Sequence, residues 1–117
     1  MHKLKELNIW KKSIDLAVDV YTATKGFPKE ETYGLTSQIR RSAVSIPSNI
    51  SEGAGRNSDN EFLHFLGIAN GSAYELETQV FISNRIALMD DEQTEVLLTQ
   101  LTEIQKMNYG LMQKLKT

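Results

Sequence analysis

The chain has no cysteine. This excludes thiolate nucleophiles, cysteine-ligated zinc and a disulfide framework, and it fits a cytoplasmic setting. Histidine is almost as scarce, with only His2 and His64. A Ser-His-Asp set therefore has no frame, although serine is plentiful. Charge of one sign is also lacking: the formal net charge is −2, so bulk charge does not draw the protein to nucleic acid, and any such role needs a local patch. No apolar run is long enough to span a bilayer. The segment MHKLKELNIWKKS carries lysines without an apolar stretch behind them, which does not read as a secretion signal. What remains is 117 residues, 40% hydrophobic and 24% charged, the size and composition of one globular domain.

Helical spacing dominates that chain. From about Leu4 to Lys25, the residues Leu7, Trp10, Ile14, Ala17, Val18 and Tyr21 recur every three or four positions, which predicts one buried face. Gly26, Phe27 and Pro28 stop that helix. A second helix is expected to begin between Pro28 and Tyr33, to bury Leu35, Ile39, Ala43, Ile46 and Ile50, and to end at Gly53 and Gly55. Ser58-Asp59-Asn60-Glu61 has the form of a capping box. It opens a third helix running to about Leu88, with Phe62, Leu66, Ala69, Ala73, Leu76, Val80 and Ser83 inward. Asp90 with Gln93 caps a fourth, whose stripe is Leu97, Leu101, Ile104, Met107, Leu111 and Leu115. No segment alternates as a half-buried strand does, and all connections are short. The fold class is all-α, an up-down-up-down antiparallel four-helix bundle spanning residues 1–117. A helical hairpin that completes its core by oligomerising is the competing geometry.

Polar residues gather at the second bend, in SIPSNISEGAGRNSDNEF. Pro47 lacks an N–H and clashes with the Ala43 carbonyl in a straight helix, so the helix is expected to kink there or to end and restart. Asn49 and Glu52 have the spacing of a cap pair for a restart. Gly53 and Gly55 are expected to supply positive φ at the corner, and Arg56 to pair with Glu52 or to bond the last carbonyls. Gly67 and Gly71 inside the third helix cost about 1 kcal/mol each relative to alanine, which predicts close packing by a neighbour. If helices two and three form a hairpin, Arg40, Arg41, Glu75 and Glu77 line one polar seam near Ser72. Together with Asn49 and Glu52, this seam reads as architecture first.

Chemical constellations are sparse. Glu61-x-x-His64 has the spacing of a di-iron bundle motif, but one copy is present where two and further glutamates are needed. Gly53-Ala54-Gly55 is too short for a dinucleotide fingerprint and follows a helix, where a strand is required. Trp10, Tyr33 and Tyr74 have rings suited to base stacking, yet aromatics at helical spacing usually belong to a core. No catalytic site, cofactor or metal is predicted.

Three runs carry more than periodicity: Asn8-Ile9-Trp10-Lys11-Lys12, the stretch from Tyr33 through Ile39-Arg40-Arg41 to Ile46-Pro47-Ser48-Asn49-Ile50-Ser51-Glu52-Gly53, and Gly71 to Thr78. In this order they resemble the four-helix-bundle family first met as reading frames within intervening sequences of bacterial 23S rRNA genes, also labelled S23 ribosomal protein. The likeness covers nearly the whole chain. Ser42 and Ser51 stand where that family usually has alanine, a small change. The resemblance implies an up-down bundle without enzymatic activity and a ring-like homo-oligomer, a pentamer. It also implies kinship with the accessory bundle proteins of diversity-generating retroelements, which act with nucleic acid and a reverse transcriptase. The resulting expectation is RNA or other nucleic-acid binding through Lys3, Lys5, Lys11, Lys12, Arg40, Arg41 and Arg56, repeated around the ring so that weak patches add. The rival expectation is a protein-interaction scaffold that touches no nucleic acid.

Overall fold

The computed structural model describes residues 2–117. Among them are four helices and no strand: α1 (Asn8–Ala23), α2 (Leu35–Ala54), α3 (Asp59–Arg85) and α4 (Asp91–Leu115). Single 3-10 turns at Leu4–Glu6 and Lys29–Glu31 precede α1 and α2. Each helix packs on its neighbours in chain order, and α4 closes back on α1. Cross-helix contacts give the register. Gly53 meets Phe62 and Ser45 meets Ser72 across α2 and α3, while Leu66 meets Asn108 and Asn84 meets Asp91 across α3 and α4. Successive helices are therefore antiparallel, and the fold is the up-down-up-down bundle, 44 Å in its longest dimension.

Both capping signals act as the sequence implies. The Ser58 hydroxyl accepts from the Glu61 amide (3.2 Å), and the Asp90 carboxylate accepts from the Gln93 amide (2.8 Å). Each satisfies a donor that a helix start leaves without a partner. The inward stripes of α2, α3 and α4 merge with those of α1 into one apolar cluster. Ile39, Ala43, Ile46, Ile50, Phe62, Leu66, Leu76, Val80, Leu97 and Leu101 are all buried there. In α4, Asn108 takes a buried place that periodicity assigns to an apolar residue, and its amide donates to the Leu66 carbonyl (3.0 Å).

The first helix departs from expectation. Leu7 is extended (φ −81°, ψ 111°), so α1 begins at Asn8 rather than Leu4. Its inward face is Ile9, Ser13, Leu16, Ala17 and Val20, not the stripe containing Ile14, Val18 and Tyr21, which are exposed. Two apolar stripes compete on this helix. The one that won contains a serine, whose hydroxyl is satisfied internally by donating to the Trp10 carbonyl (2.9 Å).

The bends differ too. α2 runs through buried Pro47 without ending, and Asn49 caps no restart. Its side-chain amide donates back to the Ser45 carbonyl (2.8 Å) and hydroxyl (3.0 Å). Neither corner glycine has positive φ. Gly53 is required by proximity instead: a Cβ there would lie 2.8 Å from both Phe62 Cδ1 and Phe65 Cβ. Gly67 and Gly71 face open space, with nothing within 4 Å of an added Cβ, so no neighbour within the bundle accounts for them. The left-handed conformation occurs at Ala87 (φ 63°). There the Leu88 amide reaches the Ser83 carbonyl (2.9 Å) and the Ala87 amide reaches the Asn84 carbonyl (3.0 Å). This is a Schellman ending, and it stops α3 at Arg85 rather than near Leu88.

Candidate functional site

The outward stripe of α1 meets the outer flank of α2 in an open groove of about 570 Å³. Trp10, Ile14, Val18 and Tyr21 form one wall, and Val44 and Pro47 the other. Val18 is 58% exposed and Val44 41%. The groove is lined mainly by apolar side chains, with no charged residue among them. Its open apolar lining makes it a candidate interaction surface.

At the C-terminal end of α1, Tyr21 also lines a second open pocket of about 390 Å³ with Thr32, Tyr33, Thr36, Ser37, Arg40 and Arg41. Arg40 is held there by three contacts. Its Nε donates to the Thr24 hydroxyl (2.9 Å), its Nη2 to the Tyr21 carbonyl (3.4 Å), and its guanidinium lies 4.6 Å from the Tyr21 ring centre. Buried Thr24 passes its own proton to the Val20 carbonyl (2.8 Å). Arg40 thus packs on α1 and makes no seam with α3.

The expected polar seam is divided. Ser72 bonds Ser45 (2.8 Å), not an arginine. Glu77 turns to α4 and accepts from Gln105 (2.8 Å). Glu75 and Arg41 are exposed and unpaired with each other. The physical reason is size: Ser45, Asn49 and Ser72 bring α2 and α3 together with short side chains and leave no room for guanidinium–carboxylate pairs between them.

The other cations expected to meet nucleic acid fall into two groups. Lys12 is paired with Glu103 of α4 (2.6 Å); that hydrogen bond and the Glu103 charge hold its ammonium above the ordinary lysine value, with Asp15 adding to the effect. Arg56 lies 3.8 Å from Glu52, 3.9 Å from Glu61 and 4.9 Å from the Phe65 ring centre. By contrast, Lys3, Lys5, Lys11 and Arg41 are exposed and have no carboxylate at ion-pair distance among the described residues. Glu61 and His64 do not converge on a common point: Glu61 serves Ser58 and Arg56, and His64 packs edge-on to Phe65. Among the described residues no group of three or more His, Asp or Glu is placed to hold an ion, and no helix is long and apolar enough to cross a membrane.

Sequence reasoning missed the groove, because it assigned that stripe to the core. It also set Tyr33 aside as a core aromatic. Tyr33 stands outside the helix, immediately before Gly34, and is 97% exposed. The helix was expected to start by Tyr33 but begins at Leu35; Gly34, a poor helix former directly after Tyr33, was the available signal.

Architecture and surface define a four-helix bundle with an open apolar flank and scattered unpaired cations. The chain belongs to the 23S rRNA-intervening sequence protein family, whose pattern matches residues 5–110. It is similar to a crystal structure of a protein of unknown function from the S23 ribosomal protein family of Bacteroides thetaiotaomicron. The two share 29% identity over 90% of this chain and 95% of that one, with a TM-score of 0.83. No curated protein matches the chain.

Proposed function

We propose that this protein is a non-enzymatic, self-assembling bundle that binds structured RNA or another nucleic acid in the cytoplasm. The observation that carries the reading is the α1–α2 groove. Its apolar walls match the kind of surface that a second copy covers, and a groove that meets a different surface of the next copy builds a ring. A ring-like homo-oligomer, a pentamer in this proposal, repeats each surface cation around its rim. Lys3, Lys5, Lys11 and Arg41, free of carboxylate partners among the described residues, then contact phosphates at several places at once. Each copy also brings its net charge of −2, so the binding comes from the avidity of the repeated local patches and not from bulk charge. Lys12 and Arg56 are paired with carboxylates and mainly hold the bundle together, while Arg40 is anchored on α1 and keeps its charge free of a carboxylate among the described residues.

Light scattering establishes the subunit number, and RNA binding measured against salt tests the function. Affinity is expected to fall linearly on a log–log scale as salt rises. A combined Lys3→Ala, Lys5→Ala, Lys11→Ala variant is expected to reduce that slope by about three for each subunit that touches the RNA, one unit per lysine. No binding at low salt by an intact oligomer defeats the nucleic-acid reading. The groove also supports a second reading, a scaffold for another protein. A stoichiometric protein partner retained after nuclease treatment, together with absence of RNA binding, favours it.

A further inference from the structure

We propose that the pocket at the start of α2 takes one unpaired nucleotide of a nucleic-acid strand, with the base stacked on Tyr33 and the phosphate between Arg40 and Arg41. The inference rests on the nucleic-acid reading above and deepens it by naming the class of strand. Three observations converge. Tyr33 is 97% exposed, so its ring is open to a stacking partner. Arg40 and Arg41 both line the pocket, and neither has a carboxylate at ion-pair distance among the described residues. Two guanidiniums on the lining of one pocket, without a counter-ion, draw an anion into it, and their planar donor sets suit phosphate. Arg40 is already oriented by Thr24 and Tyr21, which lowers the ordering cost of binding.

An exposed ring beside uncompensated arginines reads single strands. Unpaired bases offer a face to stack, whereas duplex bases are already stacked on one another. Glu31 is the nearest acidic element in sequence, and its carboxylate is engaged by the Leu35 amide (3.1 Å).

The test compares a fluorescently labelled oligouridylate with an RNA duplex of equal length by anisotropy, using the full chain in its assembled state. The single strand is expected to bind about tenfold more tightly than the duplex. Tyr33→Ala is expected to weaken only the single strand, again by about tenfold, while Tyr33→Trp preserves it. Arg41→Gln is expected to lower the salt slope for the single strand by about one. Circular dichroism confirms that each variant is folded. Unchanged single-strand affinity in Tyr33→Ala, with binding still dependent on Lys3, Lys5 and Lys11, overturns this inference and leaves the broader function standing. Preference for the duplex overturns it as well, as does a uridine mononucleotide that binds as tightly as the oligomer. Absence of any RNA binding removes both readings.

Discussion

Toward α3, helix α2 presents Ser45, Asn49 and Gly53; on its outer flank beside α1 it presents Val44, Pro47 and Ser48. The first set is small, hydrogen-bonded and closed: Ser45 meets Ser72, Asn49 satisfies backbone and hydroxyl, and Gly53 admits Phe62. The second set leaves an open groove. One helix thus carries a finished interface and an unfinished one. The difference teaches that the same helix can be closed on one side by short side chains and backbone proximity and left open and apolar on the other.

The contrast can be broken most directly on the groove side. Val18→Asp combined with Val44→Asp places two charges on exposed apolar walls. The isolated bundle should keep its stability within about 0.5 kcal/mol, because both sites are solvent-accessible. The assembly should weaken by at least about 100-fold, since each carboxylate is buried unpaired on association. Sedimentation and chemical denaturation read the two effects separately, and an unchanged oligomer would place the subunit contact elsewhere.

On the closed side, Gly53→Ala should destabilise the bundle by about 1–3 kcal/mol, because its Cβ overlaps Phe62 and Phe65 and the helices must move apart. Denaturant midpoints measure this. A neutral result would mean that the α2–α3 corner yields more easily than its packing implies.

The smallest effect sharpens the contrast by moving to positions that the bundle does not fill. Ala87→Gly should stabilise the monomer by about 1 kcal/mol, because alanine pays a steric penalty at φ 63° that glycine avoids. Gly71→Ala should stabilise it by about 0.5–1 kcal/mol, since its Cβ meets nothing and helix propensity improves. Thermal melts of the dissociated chain test both. A loss of assembly in Gly71→Ala would show that this open face of α3 is approached by another subunit.

Much of the molecule is legible before folding. Ser58 and Asp90 announce helix starts because a capping oxygen acts within three residues. The stripes of α2 and α3 are clear because their buried residues recur without a break every three or four positions. The phase of α1 was hidden because two of its faces are apolar and the buried one includes Ser13. The role of Gly53 was misread because close approach and positive φ call for the same residue. The direction of Arg40 was out of reach, since a long side chain at that position can turn to either neighbouring helix, and Thr24 and Tyr21 decide the matter.

The amino-acid order alone determined the number of helices, the caps of α3 and α4 and most of the inward stripes, which depend on residues within one or two turns of each other, and, through runs spread along the chain, the family to which it belongs. The tertiary structure decided which side of α1 faces water, which cations keep free charge, and that Tyr33 stands exposed beside two arginines. Those outcomes follow from packing between segments far apart in the chain, where the space left by one helix chooses among the faces that another can offer.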